Sequence, residues 1–509
     1  MSDRELRDSM FYLSHKSETW KRIGVPLFFI ACSLFVFMWP SLYNGQPFFF
    51  YDTASYIRGA DTGIAEATGL QSQWTLSFVR NSLSPGKDGT VKNLSSIADQ
   101  AFLSGRSVYY GVLLYFGSLI GQFWTSVLLQ AVVVMVAIGL TLCEAFGFRW
   151  KDLAIISVAL AATTPVAFYI SFLMPDIFAG ITILALANIF ALGKTMVRLL
   201  IYLWTALLCA AVLFHSSHLL IAIFIVIFEL LHSLVSRKPI FWKGFAVAFF
   251  AIIVGFAGEV AFEFGVQKAF GLKPIRPPFI MARLMADGPG SAFLKERCPG
   301  ADYTACRFVN LLPVKSSDNF LWSLDPKVGG FMISDPSTRR SLGDEQYRFA
   351  LAVLAYDPIN QILASAKNTF TQLCLVGLED FNYSSPVAYF FEDNLPATYM
   401  EGIKKTRAWQ GRMPIMLMSY VILLCICAGV LYILWHFFVS DRNKIYPKSR
   451  LGLFTAIVFV GIFANAAICG ALSTPHDRYQ ARVIWLLPFV AALLYGEREA
   501  RIKDLKPRT

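Results

Sequence analysis

The sequence predicts an all-α integral membrane protein, and three observations carry that expectation. Hydrophobic residues make up 56% of the 509 and only 16% are charged, with a mean hydropathy of +0.53; a soluble domain carries about 25% charged residues. Apolar runs long enough to span a bilayer recur along the chain. Every second loop between those runs is basic, the pattern that cytoplasmic loops show. The net charge of +11 would by itself suggest nucleic acid. The Lys and Arg residues fall instead in clusters between apolar runs, so membrane lipids are expected partners and nucleic acid is not.

The N-terminal segment 1–24, with Arg4, Arg7, Lys16, Lys21 and Arg22, is expected in the cytoplasm. Val25 to Tyr43 then spans outward. That run ends in Trp39-Pro40 and aromatics, which predicts a retained span and not a cleaved leader. The first external loop, 44–106, is of a length usually kept for function. Ser107 to Ile120 is apolar but short and is read as a helix lying in, or dipping into, the outer leaflet. Phe123 to Ala145 crosses inward to Arg149 and Lys151. Leu153 to Ile170 goes out, Ile177 to Leu192 returns to Lys194 and Arg198, and Leu199 to Phe214 goes out again. Leu219 to Val235 returns to Arg237-Lys238, and Phe245 to Phe262 completes a core over 25–262.

Segment 263–412 is expected outside, as one periplasmic insert. Within it, Asp344 to Ala355 reads as a helix, and Asn360 to Cys374 as an amphipathic one with a face suited to the membrane surface. Cys298 and Cys306 fall in the same segment. An oxidising compartment and a short loop between them predict a disulfide; a metal site would need further Cys or His nearby, and the sequence has none there. The C-terminal spans, 413–496, are Pro414 to Val439, Leu451 to Leu472 and Val483 to Tyr495. A basic tail, 497–509, follows. This gives about ten spans, with both termini in the cytoplasm.

Polar residues interrupt this pattern on one side. Asp52, Arg106, Asp176, His215, His218, Glu259, Glu263, His476, Asp477, Arg478 and Arg482 all map to outer ends of spans. Ionisable groups are costly there and are functional candidates by default. Their gathering on one side predicts a single cavity opening outward, whereas a transporter should show charges or broken helices near the midplane. Asp52 follows Phe48-Phe49-Phe50-Tyr51, aromatics expected at the headgroup level. A lipid-linked phosphate donor needs an apolar groove for its tail, a guanidinium for its phosphate and a carboxylate base for the acceptor. Asp52 suits the base, and Arg106, Arg478 and Arg482 suit the phosphate.

The order of these features resembles the polytopic glycosyltransferases of the GT-C superfamily, such as the protein O-mannosyltransferases and lipid A aminoarabinose transferases. Tyr51-Asp52-Thr53-Ala54-Ser55-Tyr56 resembles their first-loop Asp-x-x-x-Tyr. Gly105-Arg106-Ser107-Val108-Tyr109-Tyr110 is similar to their basic opening of an interfacial helix. Met174-Pro175-Asp176 resembles the second acid, and Asp477-Arg478-Tyr479 the Arg-Tyr pair before the last spans. The resemblance implies a GT-C-like arrangement with juxtamembrane helices on the outer face and one extramembrane insert. It implies transfer, with inversion, of a sugar from a polyprenyl-phosphate carrier to an envelope acceptor (glycan, lipid or protein), on the outer face of a bacterial inner membrane. Asp52 would deprotonate the acceptor hydroxyl, and Arg106, Arg478 and Arg482 would neutralise the leaving phosphate. Tyr56, Asp176, His215, His218, His476 and Tyr479 would contact sugar or acceptor.

Other readings stay open on the same residues. A polysaccharide polymerase or ligase with a lipid-diphosphate donor could use the same arginines, and a lipid or polysaccharide transporter is the non-enzymatic alternative. Asp52 and Asp176 each precede a helix and could serve as caps. Arg478 and Arg482 could anchor a helix at the headgroups. No particular cofactor is indicated, and a divalent metal is possible: His215 and His218, one turn apart, could hold one given a third ligand.

Overall fold

The computed structural model describes residues 24–70, 72–74, 103–383, 385–443 and 450–505. The N-terminal segment 1–23, most of the first external loop, the basic loop 444–449 and the tail 506–509 lie outside the described residues, together with the expectations placed on them. Among the described residues the chain is helical and has no strand, only two isolated bridges, Phe48–Phe172 and Leu103–Ile275. The main helices are α1 (Val25–Phe37), α2 (Thr53–Thr68), α3 (Val108–Leu119), α4 (Trp124–Phe146), α5 (Trp150–Thr163), α6 (Ile177–Ala187), α7 (Arg198–Phe214), α8 (Ser216–Val235) and α9 (Trp242–Phe270). They continue as α10 (Pro336–Tyr356), α11 (Pro358–Cys374), α12 (Ile415–Asn443), α13 (Arg450–Leu472), α14 (Asp477–Ile484) and α15 (Leu486–Leu505).

Among the described residues six stretches are long and apolar enough to cross a membrane: α4, α8, α9, Ile415–Val439 of α12, Leu451–Leu472 of α13, and Asp477–Ala500 of α14 and α15. The pair α10 and α11, bent by 112°, makes a seventh if taken as one span. The apolar helices Val25–Phe37, Val108–Leu119, Ile177–Leu192 and Arg198–Phe214 are shorter.

Local chemistry explains where the helices break. The apolar run 153–170 divides at Pro165, with Thr164 extended (φ −135°, ψ 166°) and a short helix Val166–Ile170 beyond it. Proline disfavours the helical conformation in the residue before it. Between α3 and α4, Gly121, Gln122 and Phe123 are all left-handed (φ 76°, 50° and 73°), which turns the chain sharply. The end of α6 widens into a π-turn over Asn188–Leu192. There the buried Asn188 amide donates to Thr141 Oγ1 (3.0 Å) on α4.

Segment 263–412 has two parts of different character. Residues 275–356 bury a core of their own, including Met281, Met285, Phe320, Phe331, Leu342 and Phe349, and the Cys298–Cys306 disulfide joins two half-buried positions beside it. Residues 376–413 instead feed Phe381, Phe391, Tyr399 and Ile403 into the main core. Glu263 pairs with Lys273 (2.8 Å) and Arg276 (2.8 Å).

Of the four aromatics before Asp52, Phe48 and Phe49 are packed inside the protein and not set out as headgroup anchors, while Phe50 and Tyr51 are part-exposed at the cavity. Phe48 and Phe49 are fully buried, Phe48 edge-on to Phe381 and Phe49 edge-on to Phe123. Phe48 N–H donates to Ser171 O and Leu173 N–H to Phe48 O, both 2.9 Å. The strand-like loop before α2 is therefore tied to the loop before α6.

Helices α2 and α3 approach closely at Gly111, where an added Cβ would lie 2.2 Å from Tyr56 O. Backbone cannot yield as a side chain can. Gly111→Ala is expected to cost about 1–3 kcal/mol, read as a lower melting temperature in detergent. An unchanged melting temperature would show that the two helices are not packed this tightly.

Candidate active site

Two carboxylates begin two helices. Asp52 precedes α2 and Asp176 precedes α6, and neither side chain caps its helix. Each faces arginine instead. The backbone pairing of Phe48 with Ser171 and Leu173, together with Thr53 Oγ1 donating to Leu173 O (3.1 Å), fixes one loop against the other.

Arg106 donates to Asp52 Oδ1 at 2.6 Å, and the two side chains are 22% and 21% exposed. Arg106 directly precedes Ser107, whose hydroxyl caps α3 at Tyr110 N–H and donates to Leu213 O (2.6 Å). The Arg106 guanidinium also lies 5.7 Å from the Trp322 ring centroid.

Asp176 is buried and receives two cations, Arg482 at 3.3 Å and Arg478 at 3.6 Å. Both arginines lie on α14, four residues apart, so they share one face. Arg482 is 1% exposed. It donates to Asn465 Oδ1 (2.9 Å) on α13 and to Ser217 Oγ (3.2 Å) on α8. Arg478 stacks on Phe50 (4.2 Å) and Tyr479 (4.9 Å), a favourable setting for a guanidinium. Its backbone carbonyl accepts from Tyr169 OH (3.0 Å). One terminal nitrogen of Arg478 finds no hydrogen-bond partner among the described residues.

These groups border one cavity of about 2500 Å³. Asp52, Arg106, His215, His476, Arg478, Tyr479 and Arg482 line it, as do Glu259 and Glu263. Tyr56, Asp176 and His218 stand behind its wall. Tyr56 packs edge-on to Tyr110 (5.4 Å), and His218 Nδ1 lies 2.8 Å from Ala211 O, which makes that nitrogen the donor. His215 Nδ1 accepts from Ser217 N–H (3.1 Å). The two imidazole centroids are 5.3 Å apart. His476 turns away to Asp318 (2.9 Å) and does not join them. Among the described residues no three His, Cys, Asp or Glu side chains are grouped to hold a metal ion. Leu219, Leu220, Phe256, Val260 and Phe262 give the same cavity an apolar wall.

The cavity also holds residues that sequence reasoning passed over: Ser217, Asp318, Trp322 and Asp380. Asn465, behind Arg482, is an uncharged side chain within the apolar helix α13 and carries no charge signal in the sequence. Asp380 carried a readable signal, a carboxylate among aromatics in Leu378-Glu379-Asp380-Phe381-Asn382-Tyr383, which is the setting of Asp52 repeated. Burial at the cavity wall raises the Asp380 pKa above its ordinary 3.8, and the nearby Arg478 offsets this only in part. A raised carboxyl pKa means that the folded chain keeps a proton the unfolded chain has lost, so stability falls as pH rises through the raised value. Asp380→Asn is therefore expected to melt above wild type at neutral pH, with the gap closing as the pH approaches 4. A gap that does not change with pH would count against a protonated Asp380.

No protein-family model, curated protein or solved structure matches the chain.

Proposed function

We propose that the chain is a membrane glycosyltransferase of the GT-C type, moving a sugar from a polyprenyl-phosphate carrier to an acceptor in the cell envelope. The observation that carries the reading is the Asp52–Arg106 pair, which shares one cavity with Arg478, Arg482 and an apolar wall. A base, a phosphate site and a lipid groove are the three parts that such a reaction needs. The unpartnered nitrogen of Arg478, on a side chain only 8% exposed, suits an anion there.

On this reading the acceptor hydroxyl attacks the anomeric carbon from the face opposite the phosphate, and Asp52 takes its proton. The carbon–oxygen bond to the phosphate breaks, and polyprenyl phosphate leaves with its charge met by Arg106 and Arg478. Arg482, held by Asp176, Asn465 and Ser217, sets the electrostatics behind Arg478. His215, with its Nδ1 engaged by Ser217, keeps Nε2–H to offer a sugar or acceptor oxygen. The shorter apolar helices would bring the crossings to about ten. The cavity would then face the periplasm of a bacterial inner membrane, and both termini the cytoplasm.

The test uses the purified protein in liposomes, given polyprenyl-phosphate-linked sugars and an envelope extract. Release of free polyprenyl phosphate that depends on both additions is the expected result. Turnover of lipid-diphosphate donors alone would point to a polymerase or ligase. Passage of the intact donor across the bilayer, with no release, would replace the transferase reading with a transporter.

A further inference from the structure

Helix α11 is built the wrong way round for a helix in water. Its inward face is polar: Gln361, Thr369 and Gln372 are buried. Its outward face carries Ile359, Ile362, Leu363 and Phe370, each at least 61% exposed, with exposed Asn360 beside them and exposed Lys367 one turn beyond Leu363 toward the C-terminal end of the helix. The four apolar residues, at i, i+3, i+4 and i+11, form a single stripe. Most of the inward polar groups find partners in the protein, the Gln361 side-chain oxygen excepted among the described residues. Gln361 Nε2 and Asn368 Nδ2 donate to the two oxygens of Asp287 (2.9 and 2.8 Å). Gln372 and the His476 backbone exchange two hydrogen bonds (2.8 and 2.9 Å).

The register against α13 tells where this stripe lies. A Cβ on Gly470 would meet the Asn368 carbonyl oxygen at 2.7 Å, so those two backbones touch. Gln372, four residues further on, meets His476, six residues further on. The chain directions agree, so α11 runs parallel to the span Leu451–Leu472, and the two pack along one another. Pro358 is ten residues before Asn368, or about 15 Å along the axis at 1.5 Å per residue. The bend between α10 and α11 therefore lies level with the middle of that span, and not at its end. At the bend Asp357 caps α11, accepting from Asn360 N–H (3.3 Å) and Nδ2 (2.9 Å), and on α10 Leu351 (71% exposed) and Leu354 (40%) add apolar surface on either side of it.

We infer that α10 and α11 form a re-entrant hairpin, with its tip at 351–363 immersed in lipid of the leaflet on the cavity side. The occupant of the apolar stripe is lipid acyl chain. A soluble insert would have no reason to place polar side chains inward and aliphatic ones outward beside a membrane span; a bilayer demands that arrangement. This inference does not depend on the transferase reading.

The test places single cysteines at Ile359, Ile362 and Leu363, and at the exposed Asp344 higher on α10, in a chain whose seven free cysteines are replaced and whose Cys298–Cys306 disulfide is kept. Each is spin-labelled and reconstituted in nanodiscs. Collision with oxygen is compared with collision with a water-soluble nickel chelate. At the three tip positions oxygen should dominate, and at Asp344 nickel should. Free nickel access at the tip would place the hairpin in water and overturn the inference. Low access to both reagents would place protein over the stripe and overturn it equally. A second measurement needs no variant: an apolar carbene reagent in liposomes should label wild-type peptides from 351–370 as it labels those from the spans. Absence of that label would also overturn it.

Discussion

Replacing Asp52 with Asn is expected to slow release of polyprenyl phosphate by about a hundredfold or more, the range for losing a general base. Asparagine keeps the shape of the side chain and an oxygen that can still accept from Arg106. It removes the negative charge and the basicity. The Asp52–Arg106 pair is only about one-fifth exposed on each side, but asparagine keeps an acceptor for Arg106, so the stability change should stay below the about 3–5 kcal/mol of losing a buried partner outright. Rate and melting temperature thus separate the two roles of the residue. A large loss of rate with a small change in melting identifies a base. Equal rates in the two proteins would reduce Asp52 to an ion-pair partner that orders the start of α2. The present pairing has a further consequence for the reaction. If the proposed reaction holds, a donor phosphate arriving at Arg106 would compete with Asp52 for the same guanidinium, and donor binding would itself release the carboxylate for the acceptor.

Asp176→Ala should give the largest effect on stability. Asp176 is the carboxylate that faces two nearly buried arginines, Arg482 at 1% and Arg478 at 8% exposure. Removing one partner of a buried ion pair costs about 3–5 kcal/mol, because the remaining charge stays desolvated and uncompensated. Arg482 would retain Asn465 and Ser217, which satisfy its N–H groups without neutralising it. Asp176→Asn should be intermediate, since it restores an acceptor but not the charge. The measurement is thermal unfolding in detergent, with the two variants side by side. Asp176→Ala melting with wild type would mean that the arginines do not depend on this carboxylate. The contrast with Asp52 is the point: two acids in one pattern, one expected to govern rate and the other folding.

Much of this architecture was legible in the chain. Continuous apolar runs write their own helices, and those over 124–146, 216–235 and 451–472 lie close to where composition put them. The disulfide followed from two cysteines placed in one short loop. The gathering of Asp52, Arg106, Arg478 and Arg482 at one cavity was also legible, because an apolar chain leaves few places for such groups. What joins them was not. The pairing of Phe48 with Ser171 and Leu173 is made by backbone atoms, which leave no periodicity in the sequence. Phe48 and Phe49 look alike in sequence whether they rest at headgroups or fill a core, and only the partners Phe381 and Phe123 decide. Asn465 and Ser217 were hidden because short uncharged polar residues are common in membrane helices. The inverted polarity of α11 could be read as amphipathic, but not for which side faced protein.

The unequal halves of segment 263–412 set the terms on which the protein could be re-engineered. Residues 275–356 carry a core of their own and a covalent loop closure, and they meet the rest of the chain mainly through side chains such as Asp287, Asp318 and Trp322, which a replacement would have to keep. Residues 376–413 cannot be lifted out in the same way. Tyr383 OH accepts from Phe49 N–H (2.9 Å), Ala408 N–H donates to Asn44 Oδ1 (2.9 Å), and Phe381 sits among Phe48, Phe168 and Phe172. A chimera cut at the outer limits of the whole segment would lose the floor beneath Asp52 along with the module it meant to replace. One cut inside it, ahead of α11, would leave that floor standing.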